Sequence, residues 1–150
     1  MAEKMVKVTI PLSEDNLAGA ASESVWAEPQ GDGTYRIKNV PFYAKGISFN
    51  DFVKAEPKDD VLMFKGVVRR SGHSTYRIFA NDGRSAPDVV ALVEVLKKMH
   101  CDIEPATDKL VAVNVLPEAD IHKVYATLAE AERAGKIDFQ EGHCGHVVEA

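Results

Sequence analysis

The chain has only two cysteines, Cys101 and Cys144, among its 150 residues. Two are too few for the disulfide framework of a small secreted domain, so we expect both thiols to be free. No apolar run approaches the roughly 20 residues that a membrane span needs. The first residues, Met1–Met5, also lack the apolar core of a signal peptide. These absences predict a cytoplasmic protein with no membrane partner.

Acidic side chains are unevenly distributed along the chain. Residues 61–81 contain no carboxylate, although the formal net charge of the chain is -5. Residues 1–72 hold ten basic and ten acidic side chains, whereas residues 73–150 hold eight basic and thirteen acidic ones. The whole excess therefore lies in the second half. An acidic surface repels phosphates and attracts basic partners, so the charge predicts a protein partner and no nucleic acid.

The first half predicts β-strands joined by tight turns. Apolar and polar residues alternate from Lys4 to Ile10, which is typical of a half-buried strand. Two pairs of β-prone runs flank the turns Gly31–Gly33 and Pro57–Asp60, so we expect two hairpins. Between the hairpins, Val40–Gly46 is apolar but is interrupted by proline and glycine, which favours a packed loop. Short strands with close turns predict a bent sheet or partial barrel.

Aromatic side chains crowd this half of the chain. They are Trp26, Tyr35, Phe42, Tyr43, Phe49 and Phe52. We expect these rings to form the core of the small barrel, because large rings bury much area. The alternative is a stacking platform for a base, which Arg36 would join.

The second half changes to a helical period. Apolar stripes predict helices at Ala86–His100, with Ser85 as a cap, and at Glu118–Ala134, with Tyr125 on the apolar face. Strands are predicted around them at residues 75–80, 101–104, 110–115 and 136–140. The resulting β-α-β-β-α-β order is that of ferredoxin-like folds. We therefore predict an α+β protein, with a β-rich subdomain at 1–72 and a ferredoxin-like subdomain at 73–150.

Side chains of metal-ligand type occur as His100-Cys101 and as the sequence His-Cys-Gly-His at 143–146. In the predicted sheet these two groups lie near opposite edges, about 14 Å apart. One zinc ion cannot span that distance, so we expect no metal and no cofactor. Cys101 is expected to be buried, and 143–146 to form an unstructured tail.

The basic stretch contains an unusual cluster of polar side chains. Its members, around Gly72, are Arg70, Ser71, His73, Ser74 and Arg77. A glycine with positive φ beside an arginine suits an anion, and His73 could activate Ser71 or Ser74. Catalysis also needs an orienting acid, such as Asp51 or Glu28, which would have to arrive through the fold. The alternative is a tight connection between strands whose arginines pair with neighbouring acids.

Three segments together resemble a known family. They are Ser24–Glu28, Val40–Gly46 followed by Asp51, and Arg70–Arg77. In order and spacing they resemble small bacterial proteins catalogued as a domain of unknown function, family 4265. The resemblance covers roughly Glu23 to the C-terminus, and the Arg-Ser-Gly-His-Ser sequence is its most specific part. It implies a bacterial, stand-alone domain and supplies neither an activity nor catalytic residues.

Small size, an acidic second half and an incomplete catalytic set favour a binding protein. We interpret the chain as an immunity protein that binds and neutralises a basic toxin domain. The predicted contact is the exposed face of the second helix, with Glu118, Glu130 and Glu132 as candidates. The alternative is a small enzyme or ligand-binding domain that acts on an anionic, nucleotide-like substrate through the cluster around Gly72.

Overall fold

The computed structural model describes residues 4–13 and 19–147. A closed five-stranded barrel is followed by a four-stranded sheet and two helices. The barrel strands are β1 (Val6–Pro11), β2 (Ser22–Pro29), β3 (Thr34–Ile37), β4 (Phe52–Lys58) and β5 (Val61–Arg69). The predicted α+β class is confirmed.

The barrel closes because its first and last strands pair in parallel. Val8 and Thr9 of β1 lie opposite Leu62 and Met63 of β5, whereas the other neighbouring strands are antiparallel. Register shifts between β4 and β5 bend this pair, as bulges do. The predicted partial barrel is therefore a closed one.

Aliphatic residues fill the barrel. Its buried core consists of Val8, Ile10, Val25, Ala27, Ile37, Ala44, Ile47, Val53 and Ala55. The six aromatic rings do not form this core as expected, since Trp26 is 45% exposed and the other five rings are only partly buried. Of the six, Tyr35 packs against the edge of the aliphatic core. Because even an eight-stranded barrel has just enough interior for its own side chains, five strands leave space mainly for small branched ones.

The second unit stacks two helices on one face of its sheet. Its elements are β6 (Ser74–Phe79), α1 (Pro87–Lys98), β7 (Cys101–Pro105), β8 (Leu110–Val115), α2 (Ile121–Arg133) and β9 (Asp138–His143). The strand order is β7-β8-β6-β9 and all neighbours are antiparallel. Both helices contribute to one core with the sheet, through buried residues such as Leu96 and Leu128. No described helix is long and apolar enough to cross a membrane.

The helices differ from the prediction in the cap of α1 and in the side of α2 on which Tyr125 lies. Ala86 precedes α1 without a side-chain cap, so Ser85 does not cap it, and Pro87 starts the helix with its fixed φ. Asp120 caps α2 by accepting bonds from two backbone N–H groups. Tyr125 is 52% exposed, because the buried stripe of α2 follows Val124 and Leu128.

Candidate functional site

The polar cluster around Gly72 lies where the barrel meets the sheet. Here the loop 38–51, between β3 and β4, crosses the β6 and β9 side of the sheet. We call this polar interface the seam. It comprises Glu23, Ser48, Asp51, Arg70, Ser71, His73, Ser74, Thr75, Arg77, Asn114, His143 and His146. In the seam the predicted cluster contacts the loop Val40–Gly46, through Arg70 and Arg77.

Asp51 is the centre of the seam and has no exposed surface. One carboxylate oxygen accepts bonds from the Ser48 N–H at 2.9 Å and from the Arg70 guanidinium at 3.2 Å. The other accepts a bond from the Ser71 N–H at 2.9 Å. Arg70 also donates to the Gly46 carbonyl. The fold thus places Asp51 beside Arg70 and Ser71, as the catalytic interpretation required. Its carboxylate pairs with an arginine, however, and not with a histidine.

Gly72 and Ser71 form the connection from β5 to β6. Gly72 has a φ of 90°, which favours glycine, and a methyl group there would only touch Pro117. The Ser71 hydroxyl lies 2.7 Å from the Phe49 carbonyl and accepts a bond from the His73 N–H at 3.2 Å. The hydroxyl therefore holds the turn together, which is the structural role left open by the sequence.

His73 is 8% exposed and does not face a serine hydroxyl. Its Nδ1 lies 2.9 Å from the side-chain oxygen of Asn114 on β8, and its ring contacts the edge of Phe49. Nδ1 therefore carries the proton when Asn114 accepts. Among the hydrogen bonds between described residues, none joins this ring to Ser71 or Ser74. The expected pairing of His73 with a serine nucleophile is not formed.

Ser74 pairs with a different histidine. Its hydroxyl lies 2.6 Å from Nδ1 of His146, whose Nε2 donates to the Leu116 carbonyl at 2.8 Å. The same hydroxyl accepts a bond from the Gly145 N–H at 2.9 Å. A serine beside a histidine nitrogen resembles a nucleophile and its base. Ser74 has no exposed surface, however, so a substrate cannot reach it.

The segment 143–146 is ordered by these bonds, so the expectation of an unstructured tail is wrong. A side chain at Gly145 would overlap the His73 carbonyl, which shows how closely this segment approaches β6.

Cys101 is 4% exposed, as predicted, and Cys144 packs against the sheet core. Burial raises the pKa of the Cys101 thiol to about 12. Among residues 4–13 and 19–147, no group of three or more His, Cys, Asp or Glu side chains is placed to hold a metal ion.

Arg77 is 1% exposed and points from β6 into the loop. It donates to the carbonyls of Pro41 and Ala44, while its Nε and Nη1 have no partner among the described residues. Burial lowers the pKa of this guanidinium, and the charge of Glu23 partly offsets that effect. A methyl group at Gly142 would lie 2.7 Å from Nη1, so β9 needs glycine there. Arg77 therefore binds the loop to the sheet, and its guanidinium is not accessible to an external anion.

Glu23 holds the opposite side of the same loop. Its carboxylate accepts bonds from three successive N–H groups, those of Phe42, Tyr43 and Ala44, at 2.6 to 3.1 Å. Such a concavity of N–H groups is a natural anion site, here occupied by the protein's own carboxylate. The loop 41–44 is therefore held between Glu23 of the barrel and Arg77 of the sheet.

His143 is the remaining titratable group of the seam. Its Nε2 is buried without a partner among the described residues. Burial lowers the pKa of this imidazole, Arg70 lowers it further, and Asp51 and Glu141 act in the opposite direction. His143 is therefore held neutral beside the ion pair.

The three glutamates predicted for the second helix do not form one patch. Glu118 lies in the turn before α2, although the prediction placed it inside the helix. Glu132 accepts a bond from the Phe139 N–H at 3.1 Å. Glu130 lines a groove between the helices. Glu118 precedes Ile121, the first residue of α2, and Glu130 lies nine residues, or about 14 Å, further along that helix.

The sequence interpretation missed three partners of the cluster: Glu23, Asn114 and His146. Each lies far along the chain from residues 70–77, with Glu23 and Asn114 in strands and His146 after the last strand. For Glu23 and Asn114 the signal is polarity at a buried strand position, whereas His146 belongs to the His-Cys-Gly-His sequence that was considered for metal binding. Glu28, the other acid considered, does not reach the seam and contacts Gln30 instead.

Comparisons with known proteins agree with the fold. The family described as "Domain of unknown function (DUF4265)" matches residues 23–139. A hypothetical protein from Neisseria gonorrhoeae, known from a crystal structure, is 21% identical with a TM-score of 0.82. That match covers 98% of this chain and 100% of the other, and it shows a shared fold. No protein with curated annotation matches the sequence.

Proposed function

The chain belongs to the DUF4265 family, and we propose that it is a non-catalytic binding protein that holds a basic segment of a partner protein. The most specific form of the proposal is an immunity protein that masks a basic toxin domain. The seam supports a non-catalytic role, because its hydroxyl, imidazole and guanidinium groups mainly bond to one another and to the backbone.

The observation that carries the proposal is a groove of about 250 Å³ between α1 and α2. Its floor is apolar, with Leu92, Val95 and Ala131 among its residues. Asp88, in the first turn of α1, and Glu130 of α2 add a carboxylate from each helix. The lining thus combines apolar surface with negative charge.

A lysine or arginine side chain fits this lining. Its aliphatic stem would lie on the apolar floor, while its charged end would stay near the carboxylates and water. Lys136 also lines the groove, so the local charge is one cation against two carboxylates. The acidic excess of residues 73–150 would add long-range attraction for a basic partner.

The proposal is tested by co-expression with the protein encoded beside this gene, followed by measurement of the association rate. We expect the two proteins to bind and this chain to relieve any growth inhibition. Reversing one charge, Glu130→Lys, should slow association about tenfold in low salt without unfolding the protein.

Glu118→Lys is the matched control, because it makes the same charge change on an equally exposed residue of the same half. Glu118 precedes Ile121, which is about 9 Å along α2 from Thr127, the first α2 residue of the groove, and the screening length at physiological salt is about 8 Å. Equal effects of the two variants would show that charge alone, and not the groove, directs association. Absence of binding and of growth rescue would refute the immunity function.

The alternative is an enzyme or ligand-binding domain for a nucleotide-like anion at Arg70, His73 and Arg77. It has less support, because His73 and Arg77 are buried and Arg70 pairs with Asp51. Nucleotide turnover that is lost in His73→Ala would favour it over masking.

We further infer that residues 1–72 and 73–150 act as two subdomains, of which the second is ferredoxin-like. The strand order β7-β8-β6-β9 with antiparallel neighbours supports this assignment. A cytoplasmic location is supported by the two free cysteines, which suit a reducing compartment.

A further inference from the structure

The barrel carries a second surface of distinct chemistry. All four cation–π contacts between described residues lie on the barrel strands or on the loop 38–51. Three of them involve neighbouring side chains that we call the cation–aromatic face. Its members are Arg36, Lys38, Phe49, Phe52 and Arg69.

Strand register builds this face. Phe52 of β4 lies directly opposite Arg36 of β3 and Arg69 of β5, so one ring is flanked by two guanidinium groups. The guanidinium carbon of Arg69 is 4.1 Å from the ring centre, and that of Arg36 is 5.8 Å away. Cross-strand neighbours of this kind are fixed by pairing and do not depend on loop conformation.

Lys38 and Phe49 extend the face beside this row. The Lys38 ammonium is 4.9 Å from the centre of the Phe49 ring. Asn50 joins the two parts, since its side-chain oxygen accepts bonds from Arg36 at 3.1 Å and from Lys38 at 3.0 Å. The cations are therefore held in place over the rings.

The cations of the face are not neutralised by ion pairs. Within residues 4–13 and 19–147, the two Lys or Arg ion pairs are Arg70–Asp51 and Lys97–Glu94. Glu28 is the acidic residue opposite Arg36 in the β2–β3 pair, and its carboxylate is near Gln30. The positive charges thus remain available to an anionic ligand.

A groove of about 330 Å³ adjoins the face. Phe52, Val68 and Arg69 supply apolar and planar surface, and Gln30 and Asp32 supply polar groups. Asp32 is a carboxylate at neutral pH and already accepts hydrogen bonds from the Thr34 N–H and hydroxyl, which lower its pKa. Stacking surface next to side chains that donate and accept bonds is suited to a nucleobase.

We propose that the cation–aromatic face binds single-stranded nucleic acid. One base stacks at Phe52, where the groove provides room, and adjacent phosphates contact the three cations Arg36, Lys38 and Arg69. Single strands offer both exposed ring faces and regularly spaced phosphates, which this face matches. A duplex hides its ring faces, and an acidic peptide has charge without a planar base.

This site is compatible with the acidic net charge. The excess of carboxylates lies in residues 73–150, whereas the face is built from residues 36–69. The summed charge predicted no nucleic-acid partner, but it averages over these two regions. The proposal is independent of the helical groove, so failure of either leaves the other standing.

The test is a binding titration of the full chain with labelled single strands of about eight nucleotides, as RNA and as DNA. Saturable binding is expected for the single strand, with weaker binding of the same sequence as a duplex. With about three phosphate contacts, affinity should fall about 20-fold between roughly 50 and 200 mM salt. Trp26, on β2, is the sole tryptophan, and its backbone carbonyl accepts a bond from the Lys38 N–H. Its fluorescence therefore gives a second measure of binding.

Three variants locate the site. Phe52→Leu should weaken binding about tenfold through loss of stacking. Arg69→Gln should weaken it and lower the salt slope by about 0.7, the value for one phosphate contact on a single strand. Lys58→Gln removes the same charge at the far end of β4 and should leave binding unchanged. Since Arg69 is exposed, its variant decides the result if Phe52→Leu does not fold.

Several results would overturn the proposal. They are no saturable binding of either single strand, equal binding of duplex and single strand, or equal losses in Lys58→Gln and Arg69→Gln. Binding of a polyglutamate peptide as tight as that of the oligonucleotide would also overturn it, because the face would then recognise charge alone.

Discussion

Strand β6 is buried on both faces, but the two faces are built from different chemistry. Toward the helices, Tyr76 and Ile78 belong to the apolar core. Toward the barrel, the Thr75 hydroxyl lies 2.8 Å from that of Ser48, and Arg77 bonds to the loop carbonyls. Apolar contacts are favourable in many arrangements, whereas each polar contact needs a particular partner. The apolar face therefore supplies stability, and the polar face fixes how the barrel sits on the sheet.

The free energies of the two kinds of contact support these different roles for the two faces of β6. Burying one large aliphatic side chain contributes about 1.5–3 kcal/mol. A hydrogen bond contributes about 1 kcal/mol net, yet a buried polar group left without its partner costs about 1–3 kcal/mol. A wrong docking of barrel and sheet would leave many seam groups unpaired at once.

The largest effect is expected on the apolar face. Leu96 of α1 has no exposed surface, so Leu96→Ala should lower the free energy of unfolding by about 2–5 kcal/mol. Val95→Ala on the same helix is the control, because Val95 is 47% exposed, and it should change stability by less than about 0.5 kcal/mol. Chemical denaturation measures both. Equal losses would mean that α1 does not pack through Leu96.

A smaller but more specific effect is expected in the seam. Asp51→Ala leaves the N–H groups of Ser48 and Ser71 without acceptors and should cost about 2–4 kcal/mol. Asp51→Asn should recover little, because its amide group would meet donors. Asp102→Ala, at an exposed acid of β7, is the control in the same denaturation experiment. Full recovery by asparagine would show that the charge of Asp51 is not needed.

The smallest effect is a pH dependence from His143. Its folded pKa lies below the ordinary value of 6.5, so the unfolded chain binds the proton more readily. The stability contribution is complete above about pH 6.5 and is lost as the pH falls through the folded pKa. His143→Gln should flatten this part of a plot of stability against pH. An unchanged slope in the variant would assign the dependence to another group.

Local pattern predicted the elements well. The bounds Leu110–Val115 were predicted as observed, and both helices were placed to within a few residues of α1 and α2. The last strand was predicted at 136–140 but runs from Asp138 to His143, because its end is set by pairing with β6. Periodicity within a segment reports the element and does not report its partners.

The site was predictable only in part. Clustering of Arg70, His73 and Arg77 was visible in the sequence, and Asp51 was among the acids considered. Asn114 and His146 were not predictable as partners of the cluster. Asn114 is 41 residues from His73 along the chain, and His146 is 72 residues from Ser74. Such pairs depend on strand order and register, which no local pattern contains.

The sequence by itself determined the α+β class, the main turns and the positions of strands and helices, because backbone preferences and hydrophobic periods act over a few residues. Only the tertiary structure decided that the barrel closes, that its buried core is aliphatic, and that His73 and Arg77 are buried. These features arise when strands distant in sequence pair and enclose a space of fixed width. Which side chains then fit inside, and which stay on the surface, depends on that geometry.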